Sequence, residues 1–276
     1  MADRIVAGVG GNDTEVRAIA WAAQRALATG VELEIVHVVD DDWGTDALDL
    51  TADAVAEAEK RIHDIADRLR ADHEGLSVHA AVIVGSPVYE LCDHASDAAL
   101  LVVGSRSAAH GAGRRAGVRA SRMAEYATVS VVIVPDVPTD GHGVVVGVDG
   151  SELSAAAVRF AAAEADRASE TLTAVRAWQP PWFWGAESGQ WPISPSTDDE
   201  LALAESLAGI AEDHPDLRVE RVLTPMRPAD ALIDAAKGAS MLVVGSHGRG
   251  ALGRAWFGSV SEEVVLAMPC TVAVIR

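Results

Sequence analysis

The chain has 276 residues, of which 49% are hydrophobic and 23% charged, a length that exceeds the ~150-residue prior for one domain and a balance that excludes disorder as the main state. Its formal net charge of −19 repels phosphate backbones and anionic bilayers, so generic nucleic-acid or membrane binding loses its electrostatic footing and an anionic ligand needs a local site. No apolar stretch approaches the ~20 residues of a membrane span, no signal-peptide pattern opens the chain, and Cys92 and Cys270 stand alone, so the expectation is a cytoplasmic protein without a disulfide framework or a cysteine-rich zinc site.

Ile5 to Val9 is a short apolar run of buried-strand type. After Asn12-Asp13-Thr14, good N-cap residues, the spacing of Val16, Ile19, Ala20, Ala23 and Leu27 predicts a helix face that stops at Gly30. A strand over Leu33 to Val39 follows, then a helix around Ala52 to Arg70, a strand over Val78 to Val84 and a helix after Pro87. Leu100 to Val103 and Val129 to Val134 are the last two strands of this half, enclosing one more helix. Pro135 to Gly141, with its prolines and glycine, reads as a linker.

Beyond it the chain repeats itself. Leu101-Val102-Val103-Gly104-Ser105 recurs unchanged 141 residues later as Leu242 to Ser246, and the same offset carries Pro87 onto Pro228 and Gly117 onto Gly258. Val6-Ala7-Gly8-Val9 matches Val145-Val146-Gly147-Val148 at an offset of 139. Strands are expected again at Val144 to Val148, Leu172 to Ala177, Val219 to Leu223, Met241 to Val244 and Thr271 to Ile275. Apolar runs alternating with helices predict parallel sheets covered on both faces. The fold class is therefore α/β, two tandem doubly wound domains over residues 1–136 and 142–276.

In an open parallel sheet ligands bind beyond the carboxyl ends of the strands, where glycine-rich turns meet helix N-termini. The fourth strand of the second half runs into Gly245-Ser246-His247-Gly248 and, through further glycines, to Gly258-Ser259-Val260-Ser261. Glycines there let backbone N–H groups approach an anion, and the two serines add hydroxyls at the positive end of a helix dipole. The competing reading is a capping box of Ser259 and Glu262 with glycines that only turn the chain. The loop is not a Walker A loop, since no Gly-Lys-Ser/Thr is present, and Gly8-Val9-Gly10-Gly11-Asn12-Asp13 fails the dinucleotide fingerprint at its third glycine.

The pattern Gly245-x2-Gly248-x9-Gly258-Ser259, together with Val146-Gly147-Val148-Asp149-Gly150-Ser151, resembles the ATP-binding pattern of the universal stress protein family, and the likeness runs through both halves. The resemblance implies two adenine-nucleotide α hydrolase-like domains paired through their last strands as an internal pseudo-dimer. It also implies an ATP site in the second half, with Asp149 and Ala177 on the adenosine side and Gly245, Gly248, Gly258, Ser259 and Ser261 on the phosphate side. The first half departs from the pattern. Gly10 stands where Asp149 stands, Ser107 replaces Gly248, and Val118 and Ala120 replace the two serines, so one ATP per chain is expected.

Glu262 and Glu263 would oppose a bare triphosphate, so Mg²⁺ is expected with it, held by phosphate oxygens and water and not by an all-protein metal site. Asp40-Asp41-Asp42 ends the first half's second strand and reads as a solvated acidic loop. Arg106, Arg114, Arg115, Arg119 and Arg122 concentrate positive charge at the altered turn, where they pair with carboxylates or bind an anion. Trp178-Gln179-Pro180-Pro181-Trp182-Phe183-Trp184, with Trp191, is a lid, a patch for a protein partner or homodimer, or packing within its own domain. His247 reads as a solvent-facing loop residue, and no base or nucleophile can be assigned. The functional expectation is an ATP-binding regulatory or stress-response switch. A slow ATPase or nucleotide-dependent enzyme on the same fold, and an interaction module with ATP as structural cofactor, are the alternatives.

Overall fold

In the computed structural model, residues 4–10, 15–40, 48–105, 116–138, 140–178, 195–248 and 257–276 are described. Their backbone divides into two units, Met1–Pro138 and Thr139–Arg276. The first unit runs β1 (Arg4–Gly8), α1 (Val16–Thr29), β2 (Glu32–Val39), α2 (Leu48–Asp72), β3 (Val78–Val84), α3 (Pro87–His94), β4 (Leu100–Ser105), α4 (Val118–Tyr126) and β5 (Val131–Pro135). The second runs β6 (Val144–Gly147), α5 (Glu152–Ala168), β7 (Leu172–Ala177), α6 (Thr197–Ser206), a one-turn α7 (Ile210–Asp213), β8 (Val219–Thr224), α8 (Pro228–Ala235), β9 (Met241–Gly245), α9 (Ser259–Ala267) and β10 (Thr271–Ile275).

Both units order their strands alike, β3-β2-β1-β4-β5 in the first and β8-β7-β6-β9-β10 in the second, with every neighbouring pair within a unit parallel. The chain steps outward from the first strand to the third, then returns to the other side of the first. Right-handed crossovers then put α1 and α2 on one face and α3 and α4 on the other. The direction of winding reverses between β1 and β4, and between β6 and β9, which opens a crevice at the carboxyl ends of those strands.

Val, Leu and Ile suit strands covered on both faces, and Leu101, Val102, Leu242 and Val243 are fully buried. Pro87 and Pro228 each open a helix at a position whose N–H needs no intrahelical partner. Gly30 ends α1 at φ +68°, donating its N–H to Ala26 and Leu27 carbonyls, a conformation that glycine reaches without strain. Cys92 and Cys270 are both buried thiols. No helix among the described residues is long and apolar enough to cross a membrane.

The structure corrects the sequence reading in two places. The buried face of α1 is Ala18, Ile19, Ala22, Ala23 and Ala26, while Val16 is 65% exposed and Leu27 lies at its edge. Alanines lie closest to the sheet because small side chains allow close approach, so the larger apolar residues do not mark the face. The N-cap of α1 is Glu15, which makes no side-chain cap hydrogen bond, whereas Asn12, Asp13 and Thr14 lie outside the described residues. β5 begins at Val131, two residues later than expected.

Candidate functional site

A cavity of about 710 Å³ opens at the reversal point of the second unit, and Asp149, Ala177, Gly245, Gly248, Gly258, Ser259 and Ser261 all line it. Its volume is within the range of pockets that hold small organic ligands. These seven come from four chain segments: the turn after β6, the end of β7, the turn after β9 and the first turn of α9.

The turn after β6 is fixed by its own side chains. Asp149 Oδ1 accepts the Ser151 N–H at 2.9 Å, Ser151 Oγ caps α5 by accepting the Ser154 N–H at 3.1 Å, and Ser154 Oγ accepts the Gly150 N–H at 3.2 Å. Gly150 carries the chain through φ +79°. One carboxylate oxygen of Asp149 is thus used to hold the turn. The other, Oδ2, lies where a Cβ on Gly248 would stand. A side chain at position 248 would require the Asp149 carboxylate to move.

The turn after β9 and the start of α9 are tied together in the same way. Gly258 N–H donates to Ser246 O at 2.8 Å, Ser246 N–H donates to Ile275 O at 2.8 Å, and Ser261 Oγ donates to Gly245 O at 2.6 Å. A Cβ on Gly258 would lie 3.1 Å from His247 Cα, and one on Gly245 would lie 3.2 Å from Leu153 Cβ. A side chain at Gly258 would press on the His247 backbone, and one at Gly245 on Leu153.

The N-cap of α9 is Gly258 in extended conformation, without a side-chain cap hydrogen bond. The capping box of Ser259 and Glu262 is therefore not formed. Ser259 is exposed on the first turn, where helical N–H groups lack intrahelical acceptors. Ser261 also lines the cavity, but its hydroxyl proton is committed to Gly245.

The opposite wall is apolar, formed by Val148, Val175, Ala177, Leu232 and Val244. Sequence reasoning named only Ala177 among these. Val175 is two residues earlier on the same strand, so the two-residue period of β7 puts both on one face and could have found it. Ser154 also lines the cavity, and its signal was the spacing of three from the N-cap Ser151. His247 lines the cavity as well, with its Nδ1 at 3.2 Å from Ser246 Oγ.

Trp178 is buried, and its backbone N–H donates to Thr224 O at 2.9 Å, so the first tryptophan of the aromatic segment packs within its own unit. Trp182, Phe183, Trp184 and Trp191 lie outside the described residues, as do Ser107, Arg106, Arg114, Arg115, Asp41 and Asp42.

On the other face of β7, Arg176 Nε and Nη2 donate to Asp199 Oδ1 at 3.0 and 2.8 Å, and Ser196 Oγ donates to Asp199 Oδ2 at 2.7 Å. Burial pushes the Asp199 carboxyl up, but the hydrogen bonds from Ser196 and the guanidinium of Arg176 outweigh it and hold the group below its ordinary value.

The corresponding end of the first unit is built differently. A Cβ on Gly10 would meet Glu15 Oε1, so a carboxylate from the start of α1 stands beside that turn. Arg61 of α2 donates to Gly10 O at 2.8 Å, and His37 Nδ1 lies 2.6 Å from Val9 O, to which it donates. Burial holds the His37 imidazole below its ordinary value, the hydrogen bond to Val9 opposes this, and the Arg61 charge adds to the lowering. Gly117 N–H donates to Ser105 Oγ at 2.7 Å, and Val118 on the first turn of α4 is 72% exposed where the second unit has Ser259. Arg119 pairs with Asp40 at 3.2 Å, so at this arginine the charge is matched by a neighbouring carboxylate.

The model of the universal stress protein family matches residues 1–135 and again residues 142–276. Universal stress protein Rv2005c of Mycobacterium tuberculosis is 32% identical over 293 aligned residues, covering 99% of this chain and 96% of its own. Universal stress protein Rv2623 of the same organism is 30% identical over 285 residues, with the same coverage of both chains. Among solved structures, a universal stress protein from Archaeoglobus fulgidus matches over 100% of this chain and 98% of its own, with a TM-score of 0.75 at 18% identity, a likeness of fold.

Proposed function

Since the chain belongs to the universal stress protein family in both its halves, we propose that its second unit binds ATP and that occupancy of that site is the regulatory signal of a stress-response switch. One observation supports this above the others. The seven residues that the family pattern selects, drawn from four separated segments, converge on one cavity at the reversal point of the sheet.

The residues fit an adenine nucleotide in their chemistry. An apolar wall of Val148, Val175, Ala177 and Leu232 suits a flat heterocycle. Asp149 brings a carboxylate, an acceptor for ribose hydroxyls, to the mouth of that wall. Gly245, Gly248 and Gly258 leave the backbone bare, and the N-terminus of α9 with Ser259 offers donors to an anion. Bound nucleotide would supply polyphosphate charge as the element that distinguishes two states. The chain's own part is to hold the Gly245–Gly248 turn, the Asp149 turn and α9 in one arrangement, through Ser261 on Gly245 and Gly258 on Ser246. A ligand shifts such an equilibrium only by its difference in affinity for the two states.

Mg²⁺ belongs in this reading as the partner of the phosphates. Glu263 is paired with Arg227 at 3.2 Å, but Glu262 in the first turn of α9 stays exposed to like charge. Chelator should therefore weaken binding.

The experiment is to heat-denature purified protein and identify and count the nucleotide released. ATP at one per chain is expected, and protein that neither retains nor takes up adenine nucleotide overturns the reading. Steady-state phosphate release separates a binding switch from a slow ATPase on the same fold, and partner binding unchanged between full and empty protein separates it from an interaction module.

A further inference from the structure

Ser105 and Ser246 stand where the fourth strand of each unit ends, yet their hydroxyls serve different neighbours. In the first unit Ser105 O accepts the Asp136 N–H at 3.1 Å, and Ser105 Oγ is occupied by the Gly117 N–H at 2.7 Å. Ser246 takes the equivalent glycine N–H, that of Gly258, on its carbonyl at 2.8 Å. Its hydroxyl is thereby released from the helix start. It meets the next residue instead, with Ser246 Oγ 3.2 Å from His247 Nδ1. The first unit has Arg106 at that position.

That contact places a proton. Ser246 is 1% exposed, so water does not take its hydroxyl proton, and among the described residues Nδ1 is the only acceptor bonded to it. A buried donor left without an acceptor costs more than the bond itself contributes. Ser246 O–H therefore donates, Nδ1 accepts with its lone pair, and the ring carries its own proton on Nε2. With Nδ1 turned to the buried serine, Nε2–H is turned away from it. His247 lines the cavity, and its Nε2 makes no hydrogen bond among the described residues.

The other side chains around the cavity leave few donors. No lysine or arginine is among the described residues that line it. Ser154 Oγ donates to Ser151 O at 3.1 Å, and Ser261 Oγ donates to Gly245 O at 2.6 Å. Only His247 and Ser259 remain to meet an anion with a side-chain proton. The backbone of His247 is also held in place: a Cβ on Gly245 would stand 3.4 Å from His247 O, and one on Gly258 3.1 Å from His247 Cα. A donor fixed before its ligand arrives loses little freedom on binding.

We propose, resting on the nucleotide reading of this cavity, that His247 is the side chain that reads anionic charge there. A neutral imidazole gives Nε2–H to a phosphate oxygen, and Ser246 is its positioning residue, fixing which nitrogen carries the proton.

Calorimetric titration of the full chain with ATP, beside nitrogen NMR of the histidine rings, tests the pair. In wild type the His247 signals, assigned by their loss in His247→Ala, should be those of the Nε2–H tautomer, and Nε2 should be the nitrogen that shifts when ATP is added. His247→Ala should weaken ATP binding about tenfold or more, the loss of a hydrogen bond to a charged group. His247→Gln carries an amide N–H about as far from the backbone as Nε2 and should stay within about threefold of wild type, whereas His247→Asn, whose amide reaches only as far as Nδ1, should fall with alanine. Ser246→Ala should leave a mixture of tautomers and weaken ATP about threefold. Wild-type protein that takes up no ATP overturns the nucleotide reading and this role together. Where wild type binds ATP, the role of His247 alone is overturned if His247→Ala binds as tightly, if glutamine rescues no better than asparagine, or if the ring proton is found on Nδ1.

Discussion

The first and second units share strand order, yet at the carboxyl end of the first strand one sets Gly10 beneath Glu15 and Arg61, and the other sets Asp149 against Gly248. In the second unit the polar groups at that end hold the turns and leave a cavity between them. In the first, a guanidinium on the Gly10 carbonyl and an imidazole on the Val9 carbonyl tie the same turn to α2 and β2. The fold fixes where a site could be. Whether the position is kept for a ligand or used for packing depends on a handful of side chains.

The largest expected effect tests the cavity side of this contrast. Gly248→Val places atoms where the Asp149 carboxylate lies and should reduce ATP affinity more than about 100-fold, while Asp149→Ala, which loses hydrogen bonds to a charged group, should reduce it at least about tenfold. Isothermal titration calorimetry reads both. Binding that survives them and disappears instead on substitution of Arg114 and Arg115 would move the site to the first unit.

The reverse experiment sharpens the contrast. Gly10→Asp returns the family carboxylate to the first unit, but a Cβ there meets Glu15 and two carboxylates would crowd one turn. Stoichiometry is expected to stay at one nucleotide per chain. A second equivalent site arising from this change alone would show that the first unit needed nothing more than the missing aspartate.

A smaller effect is expected away from the cavity. Arg176→Ala leaves Asp199, a group with little exposure, without its guanidinium, and should cost about 1–3 kcal/mol of unfolding free energy in denaturant titration. A loss indistinguishable from zero would mean that Ser196 alone suffices to hold the carboxylate.

The smallest effect is a pH dependence of the first unit. The folded chain holds His37 below its ordinary value of 6.5, so the unfolded chain takes up the proton first as pH falls. The stabilising contribution is complete above that value and is lost as pH drops through the folded one. The stability difference between wild type and His37→Gln should therefore shrink between about pH 7 and pH 5. A difference that stays constant across that window would mean that the imidazole keeps its ordinary affinity for protons in the fold.

Much of this architecture is legible in the sequence, because buried parallel strands leave runs such as Leu101-Val102-Val103 and the offset of 141 residues repeats them. Strand ends at Val84, Ala177 and Ile275 fall where the apolar runs stop. The face of α1 is not legible in the same way. In a helix where alanine recurs at every spacing, several faces satisfy the helical period, and packing distance chooses among them. At the site, the glycines and Asp149 are readable because a bare backbone and a carboxylate are specific needs, whereas Val148 looks like any strand residue and Val175 is reached only through the two-residue period that it shares with Ala177. The role of Glu15 and Arg61 was hidden for a different reason. Arg61 comes from α2, 51 residues from the Gly10 carbonyl that it holds, and Glu15, though only five residues on from Gly10, belongs to no local pattern that places its carboxylate beside the turn.

The shared space between Gly248 and Asp149 has a consequence for how this protein can change. A side chain at position 248 and the carboxylate of Asp149 compete for one space, so the two positions are coupled and their substitutions are not expected to add in a double-mutant cycle. The first unit has glycine at position 10 and serine at position 107, a side chain removed from one member of the pair and gained at the other. A lineage that loses the aspartate frees the glycine to drift, and once the glycine has been filled, the way back requires both steps together.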